Sequence, residues 1–147
     1  MALNYAVDQY RQVKVQTGVQ AADPHRLVGM LFEGVIEKVL GARLRMVQGV
    51  SPAEKGQLIS SALAILDALR ASLDKEQGGQ LAENLDALYE YMGMRLLEGN
   101  LRNDPAALDE VVVLVKNIAE AWASIGPAVA TPVAEPERSR VSLSVGA

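Results

Sequence analysis

Apolar residues return every three or four positions in four stretches of the chain, and each stretch is bounded by short polar residues, glycine or proline. That spacing lines one face of an α-helix, so it predicts four helices. The first runs from about Pro24 to Gln48, with Gly49 placed to end it in a left-handed cap. The second runs from about Pro52 to Leu73 or Asp74, with Leu58, Ile59, Ala62, Leu63, Leu66, Leu69 and Leu73 on one face. Gly78-Gly79 then breaks the pattern. The third runs from about Gln80 to Arg102, with Leu81, Leu85, Leu88, Met92 and Leu96 facing in, and the fourth from about Pro105 to Ala123, with Leu108, Val111, Val115, Ile118 and Trp122 inward.

Three helix starts share one grammar: Asp23-Pro24, Ser51-Pro52 and Asp104-Pro105. The short polar side chain accepts a bond from an orphan amide, and proline follows where an amide is not needed. Ser51 with Glu54 has the spacing of a capping box. Val111-Val112-Val113-Leu114-Val115 has the composition of a strand, but the Asp104-Pro105 cap, the early acids Asp109 and Glu110 and the spacing to Trp122 place it in a helix. Short connections make neighbouring helices antiparallel. The expected fold is therefore all-α: an antiparallel four-helix bundle over residues 23–125. An N-terminal capping segment precedes it at 1–22, with a short helix at Tyr5–Tyr10, and a disordered tail follows at 126–147.

The first helix is too apolar for one buried stripe. Val28, Met30, Leu31, Phe32, Val35, Ile36, Val39, Leu40 and Met46 cover most of its circumference, leaving a narrow polar strip of Arg26, Glu33, Glu37 and Arg45. Such a helix is buried on two sides or binds something. The second helix carries Ser60, Ser61, Ala64, Ala68 and Ala71 away from its apolar face, a smooth surface on which another helix can lie. Met30, Met46, Met92 and Met94 add adaptable side chains.

Composition narrows the chemistry. The 147 residues fit one domain, and the formal net charge of −4 argues against nucleic acid as the main partner. There is no cysteine, which excludes a thiol nucleophile, a disulfide framework and a Cys-based zinc site. A single histidine, His25, cannot supply the paired Glu-x-x-His motifs of a di-iron bundle, so no metal or cofactor is expected. No run reaches 18 consecutive apolar residues, and residues 1–20 lack a secretory h-region, so the chain is expected in the cytoplasm without membrane insertion. Glu33 and Glu37 stand one turn apart as a solvated face, and Gly78-Gly79 lacks the Lys-Ser or Lys-Thr of a P-loop. His25-Arg26-Leu27-Val28-Gly29 loosely resembles the His-x-Leu-x-Gly of histidine phosphotransfer bundles. However, His25 falls in the first helical turn, and Val28 stands where that family usually has Lys. These residues describe an interaction protein rather than an enzyme.

Several motifs, in order along the chain, resemble the flagellin-specific export chaperones, the FliS family. They are Tyr10-Arg11-Gln12-Val13; Asp23-Pro24-His25-Arg26-Leu27-Val28 with Met30-Leu31-Phe32-Glu33-Gly34; Leu73-Asp74-Lys75-Glu76-Gln77-Gly78-Gly79; Ala82-Glu83-Asn84-Leu85 with Leu88-Tyr89-Glu90-Tyr91-Met92; Arg95-Leu96-Leu97; Asn100-Leu101-Arg102-Asn103-Asp104; and Glu110-Val111 leading to Ala121-Trp122. The resemblance covers about residues 5–125. It implies a cytoplasmic, ATP-independent chaperone that holds the disordered C-terminal segment of flagellin along a hydrophobic groove. Such a protein prevents premature polymerisation and helps deliver flagellin to the export gate of the flagellar type III apparatus. On that pattern Tyr10 and Val13 are expected to form a lid, and Leu27, Met30, Leu31, Val35, Met92 and Leu96 a groove. The alternatives are phosphotransfer through His25 and a helical adaptor for another export client. Gly29, Gly93 and Gly99 depart from the family pattern, each at a cost of about 1 kcal/mol relative to alanine.

Overall fold

The computed structural model describes residues 23–125. They form four helices: α1 (Pro24–Gln48), α2 (Pro52–Ala71), α3 (Lys75–Arg102) and α4 (Pro105–Ile125). Each helix packs on the next, and α4 closes back on α1, so α1 and α3 lie diagonally opposite. No strand occurs among the described residues, and Val111, Val112 and Val115 lie buried in α4. The lid residues Tyr10 and Val13, the Tyr5–Tyr10 helix and the tail at 126–147 fall outside the described residues.

Local chemistry explains most of the ends. Asp23 caps α1, its Oδ1 accepting from the Arg26 amide at 2.7 Å. Asp104 does the same for the Ala106 amide at 3.0 Å. At the far end of α1 Gly49 adopts φ 70°, the Gly49 amide bonds to Met46 O and the Val50 amide to Arg45 O. This paired closure satisfies two orphan carbonyls and depends on a left-handed residue, which glycine adopts without a Cβ penalty.

Two expected boundaries move. α2 ends at Ala71 rather than Leu73 or Asp74, and Ser72 Oγ donates back to Leu69 O at 2.8 Å. Asp74 then caps α3 through the Gln77 amide at 3.1 Å, so α3 starts at Lys75 rather than Gln80. The glycine break survives inside it as a kink, with Gly79 at φ 54°, ψ −129°. The capping box is also absent. Ser51 sits at φ 49° and makes no side-chain cap, and Glu54 instead accepts from Arg45 Nε across to α1 at 2.9 Å.

The core joins Leu31, Phe32, Val35, Val39 and Ala42 of α1 to Ile59, Ala62, Ile65, Leu66 and Leu69 of α2. Tyr89, Met92 and Leu96 of α3 and Ala107, Leu108, Val111, Val112 and Val115 of α4 complete it. Full burial of each large aliphatic side chain contributes about 1.5–3 kcal/mol. Leu81, expected inside, is 63% exposed, because the kink at Gly79 resets which face of α3 meets the core. Tyr89 takes an inward position instead, and burial pushes its phenol pKa up. Ala68, assigned to the smooth outer face of α2, is buried.

Every seam between neighbouring helices carries an ion pair near the surface. Arg45–Glu54 joins α1 to α2, Arg70–Asp86 joins α2 to α3, Arg95–Glu110 joins α3 to α4, and Arg43–Asp109 joins α4 to α1. Exposed pairs contribute about 0–1 kcal/mol each, so their main effect is to favour one register of the four helices over slipped ones.

Candidate partner-binding surface

Helix α1 has two apolar faces. Its inner face holds Leu31, Val35 and Ala42 in the core. Its outward face carries Leu40, Leu44 and Val47, which are 45%, 53% and 58% exposed, with half-buried Ile36 beside them. The spacing 40, 44, 47 keeps the three side chains on one side of the helix. Exposed single apolar residues are ordinary, but an aligned stripe of this kind marks an interaction surface. A second outward stripe, Met94, Leu97 and Leu101, lies on α3. The bundle thus presents apolar stripes on two diagonally opposed helices.

The residues expected to form a groove are placed differently. Met30, Leu31, Val35, Met92 and Leu96 are buried, the last three with no exposed surface. Leu27 is half-buried. Leu31, Val35, Met92 and Leu96 belong to the shared core of the described residues. Leu44, Val47, Leu97 and Leu101 were not singled out from the sequence. Their signal was the second apolar period on the same helices, at 40, 44 and 47 and at 94, 97 and 101.

Between α1 and α2 lies a cleft of about 420 Å³, lined by Lys38, Arg45, Glu54, Gln57, Leu58 and Ser61. Gly41 forms part of the neighbouring α1 surface, where a Cβ would meet Leu58 Cδ1 at 3.2 Å. At the opposite side of the bundle, Tyr91 Oη donates to Glu110 at 2.6 Å and Arg95 to the same carboxylate at 2.8 Å. The tyrosine hydrogen bond and then Arg95 hold the Glu110 carboxyl below its usual range. Between α2 and α3, Arg70 and then Lys75 hold Asp86 down to about 2. These groups are structural braces facing solvent, each satisfied by a partner on the neighbouring helix or turn.

His25 is also committed. Its Nε2 donates to the Trp122 carbonyl at 2.8 Å, and Trp122 Nε1 donates to the His25 carbonyl at 2.8 Å. The rings stack with centroids 4.8 Å apart. A phosphoryl acceptor needs a free ring nitrogen exposed in mid-helix. Here one nitrogen is engaged and the ring is covered by an indole in the first turn. Among the described residues no cluster of His, Asp or Glu can hold a metal ion. No described helix is long and apolar enough to cross a membrane.

The sequence matches a known family over most of its length. Residues 6–129 match the family model described as flagellar protein FliS. The flagellar secretion chaperone FliS of Salmonella typhimurium is 48% identical over 122 residues, covering 82% of this chain and 90% of that protein. FliSB of Pseudomonas aeruginosa, also a flagellar secretion chaperone, is 46% identical over 120 residues, covering 82% of this chain and 94% of its own. The flagellar secretion chaperone FliS of Escherichia coli is 46% identical over 114 residues, covering 77% and 83%.

Proposed function

The chain belongs to the FliS family of flagellar secretion chaperones, and from that premise we propose that its client is flagellin, held by its disordered C-terminal segment. The observation that carries this reading is the outward apolar stripe of α1, Leu40, Leu44 and Val47, on a helix whose inner face is already fully used. A client segment that folds as an amphipathic helix buries its own apolar face on such a stripe. Ordering a disordered client costs free energy, so extensive apolar contact is needed; α1 supplies one stripe and α3 a second on the opposite side of the bundle.

The action is non-covalent and needs no cofactor. Covering the client's polymerising segment keeps flagellin monomeric in the cytosol until the complex reaches the flagellar export gate. Tyr10 and Val13 act as a lid on the apolar surface before the client binds. Leu27, Met30, Leu31, Val35, Met92 and Leu96 set the surface from beneath, and come into contact with the client only where the lid and the helices shift.

The test is to charge the stripe. Leu40→Asp with Leu44→Asp should abolish capture of flagellin while leaving helicity by circular dichroism unchanged. Retained capture by the folded variant would remove α1 as the client surface. Capture of a different export substrate in place of flagellin would favour the adaptor reading.

A further inference from the structure

Helices α1 and α3 repeat one pattern on their outward faces. On α1, exposed Glu37 is followed three, seven and ten residues later by Leu40, Leu44 and Val47. On α3, exposed Glu90 is followed four, seven and eleven residues later by Met94, Leu97 and Leu101. Steps of three and four keep each acid on the same side of its helix as the apolar residues that follow it. α2 returns between the two helices, so α1 and α3 run the same way and both acids lie toward the same end of the bundle. The other two helices lack the pattern. α2 exposes no large apolar side chain, and α4 exposes only Val113 and, at its last residue, Ile125.

Neither carboxylate is used by the bundle. Glu37 has no ion pair among the described residues. Glu90 has Arg70 at 4.0 Å, but that guanidinium is already held by both oxygens of Asp86, at 2.8 and 3.3 Å. At the other end of the stripes the two faces differ: α1 runs out at Gln48, whereas α3 ends on exposed Arg102. The acidic end is the part they share.

We propose that Glu37 and Glu90 are matching selectivity contacts: each takes a lysine or arginine placed about one helical turn beyond the apolar face of a bound segment. This deepens the reading of a client held as an amphipathic helix and rests on it. An apolar stripe by itself accepts such a helix in either direction, because burial of apolar surface is not directional. A charge at one end only removes that ambiguity, and charged groups at the edge of a contact supply register and partner choice more than affinity. At 1.5 Å per residue, each acid stands about 5 Å along its helix from the nearest apolar residue and about 15 Å from the farthest. The bound segment therefore needs its base three or four residues from one end of its apolar run. The same order of base and apolar residues fits both faces in the same direction.

The probe is the C-terminal segment of the host's flagellin, titrated calorimetrically into the full chain, together with a second segment in which every Lys and Arg is replaced by Gln. At low salt, Glu37→Gln and Glu90→Gln should each weaken binding of the unmodified segment two- to fivefold, the range of an exposed ion pair, and high salt should shrink both losses. Neither substitution should change binding of the Gln-replaced segment. Glu76→Gln, which removes the same charge on the far side of the Gly79 kink, should change neither. All three positions are exposed, and unchanged helicity checks each variant. Unchanged affinity in either Glu37→Gln or Glu90→Gln would overturn the proposal. So would equal losses with the Gln-replaced segment, or an equal loss from Glu76→Gln, which would reduce the effect to net charge. Failure of the unmodified segment to bind the unsubstituted chain is a separate result: it would remove the flagellin reading, and this proposal with it.

Discussion

His25 and Trp122 hold each other through two 2.8 Å hydrogen bonds, each from one ring to the other residue's backbone carbonyl, with the rings stacked 4.8 Å apart. The Trp122 carbonyl belongs to the last turn of α4, where intrahelical donors run out, so His25 serves as its cap. The contact fixes the start of α1 to the end of α4.

Trp122→Phe keeps a ring over His25 but removes the indole donor, and should cost about 1 kcal/mol, the net value of one hydrogen bond. Trp122→Ala removes the stack as well and should cost about 2–3 kcal/mol, less than for a fully buried aromatic. Urea unfolding followed by circular dichroism measures both. Equal costs for the two variants would mean the stack contributes nothing.

Gly99 and Gly29 should respond oppositely to alanine. A Cβ at Gly99 would meet Leu108 Cδ1 at 2.6 Å, Ala107 Cβ at 3.0 Å and the Asp104 carbonyl at 3.2 Å. The turn between α3 and α4 packs against that missing side chain, so Gly99→Ala should destabilise by about 1–3 kcal/mol despite better helix propensity. Nothing lies within 4 Å of a Cβ at Gly29. Gly29→Ala should stabilise by up to about 1 kcal/mol. Thermal unfolding of the pair separates the cases.

Acid should reveal the α2–α3 seam. Arg70 and Lys75 hold Asp86 down to about 2, below its unfolded value near 3.9. A depressed carboxylate contributes stability that is present above about pH 4 and is lost as pH falls toward 2. Arg70→Met should therefore be less stable than the parent at pH 6, with the gap narrowing between pH 4 and 2. Urea midpoints across that range measure it, and a gap independent of pH would show that the guanidinium acts through packing alone.

Buried and exposed apolar residues of the same helices should separate stability from client binding. Leu96→Ala opens the core and should cost about 2–5 kcal/mol. Leu44→Asp lies at the surface and should leave the unfolding midpoint within about 0.5 kcal/mol while weakening client capture. A large stability loss in Leu44→Asp would place that side chain in the core instead.

Much of this architecture is written locally. Asp23, Asp104 and Gly49 act on amides and carbonyls within a few residues, so their roles follow from short motifs. Ser51 fails as a cap because its backbone turns left-handed and its intended partner, Glu54, is taken by Arg45 of another helix. No local motif contains that competition. The same holds for α3, where one kink at Gly79 rotates Leu81 out and a tyrosine supplies an inward position. For the binding surface, the excess of apolar residues on α1 was legible, but not which of them the core would consume. Periodicity reports that a helix has two apolar faces, and only the packing of α2 and α4 decides that Val35 goes in and Leu44 stays out.

The central claim, that flagellin is held by its C-terminal segment on an apolar surface, is tested most directly by calorimetric titration. The purified chain is titrated with its host's full-length flagellin and with flagellin lacking the C-terminal segment, at several temperatures. The account predicts binding to the full-length protein with a clearly negative heat-capacity change, lost on truncation. Equal binding to both would contradict the C-terminal mechanism, and binding to neither would contradict flagellin as the client.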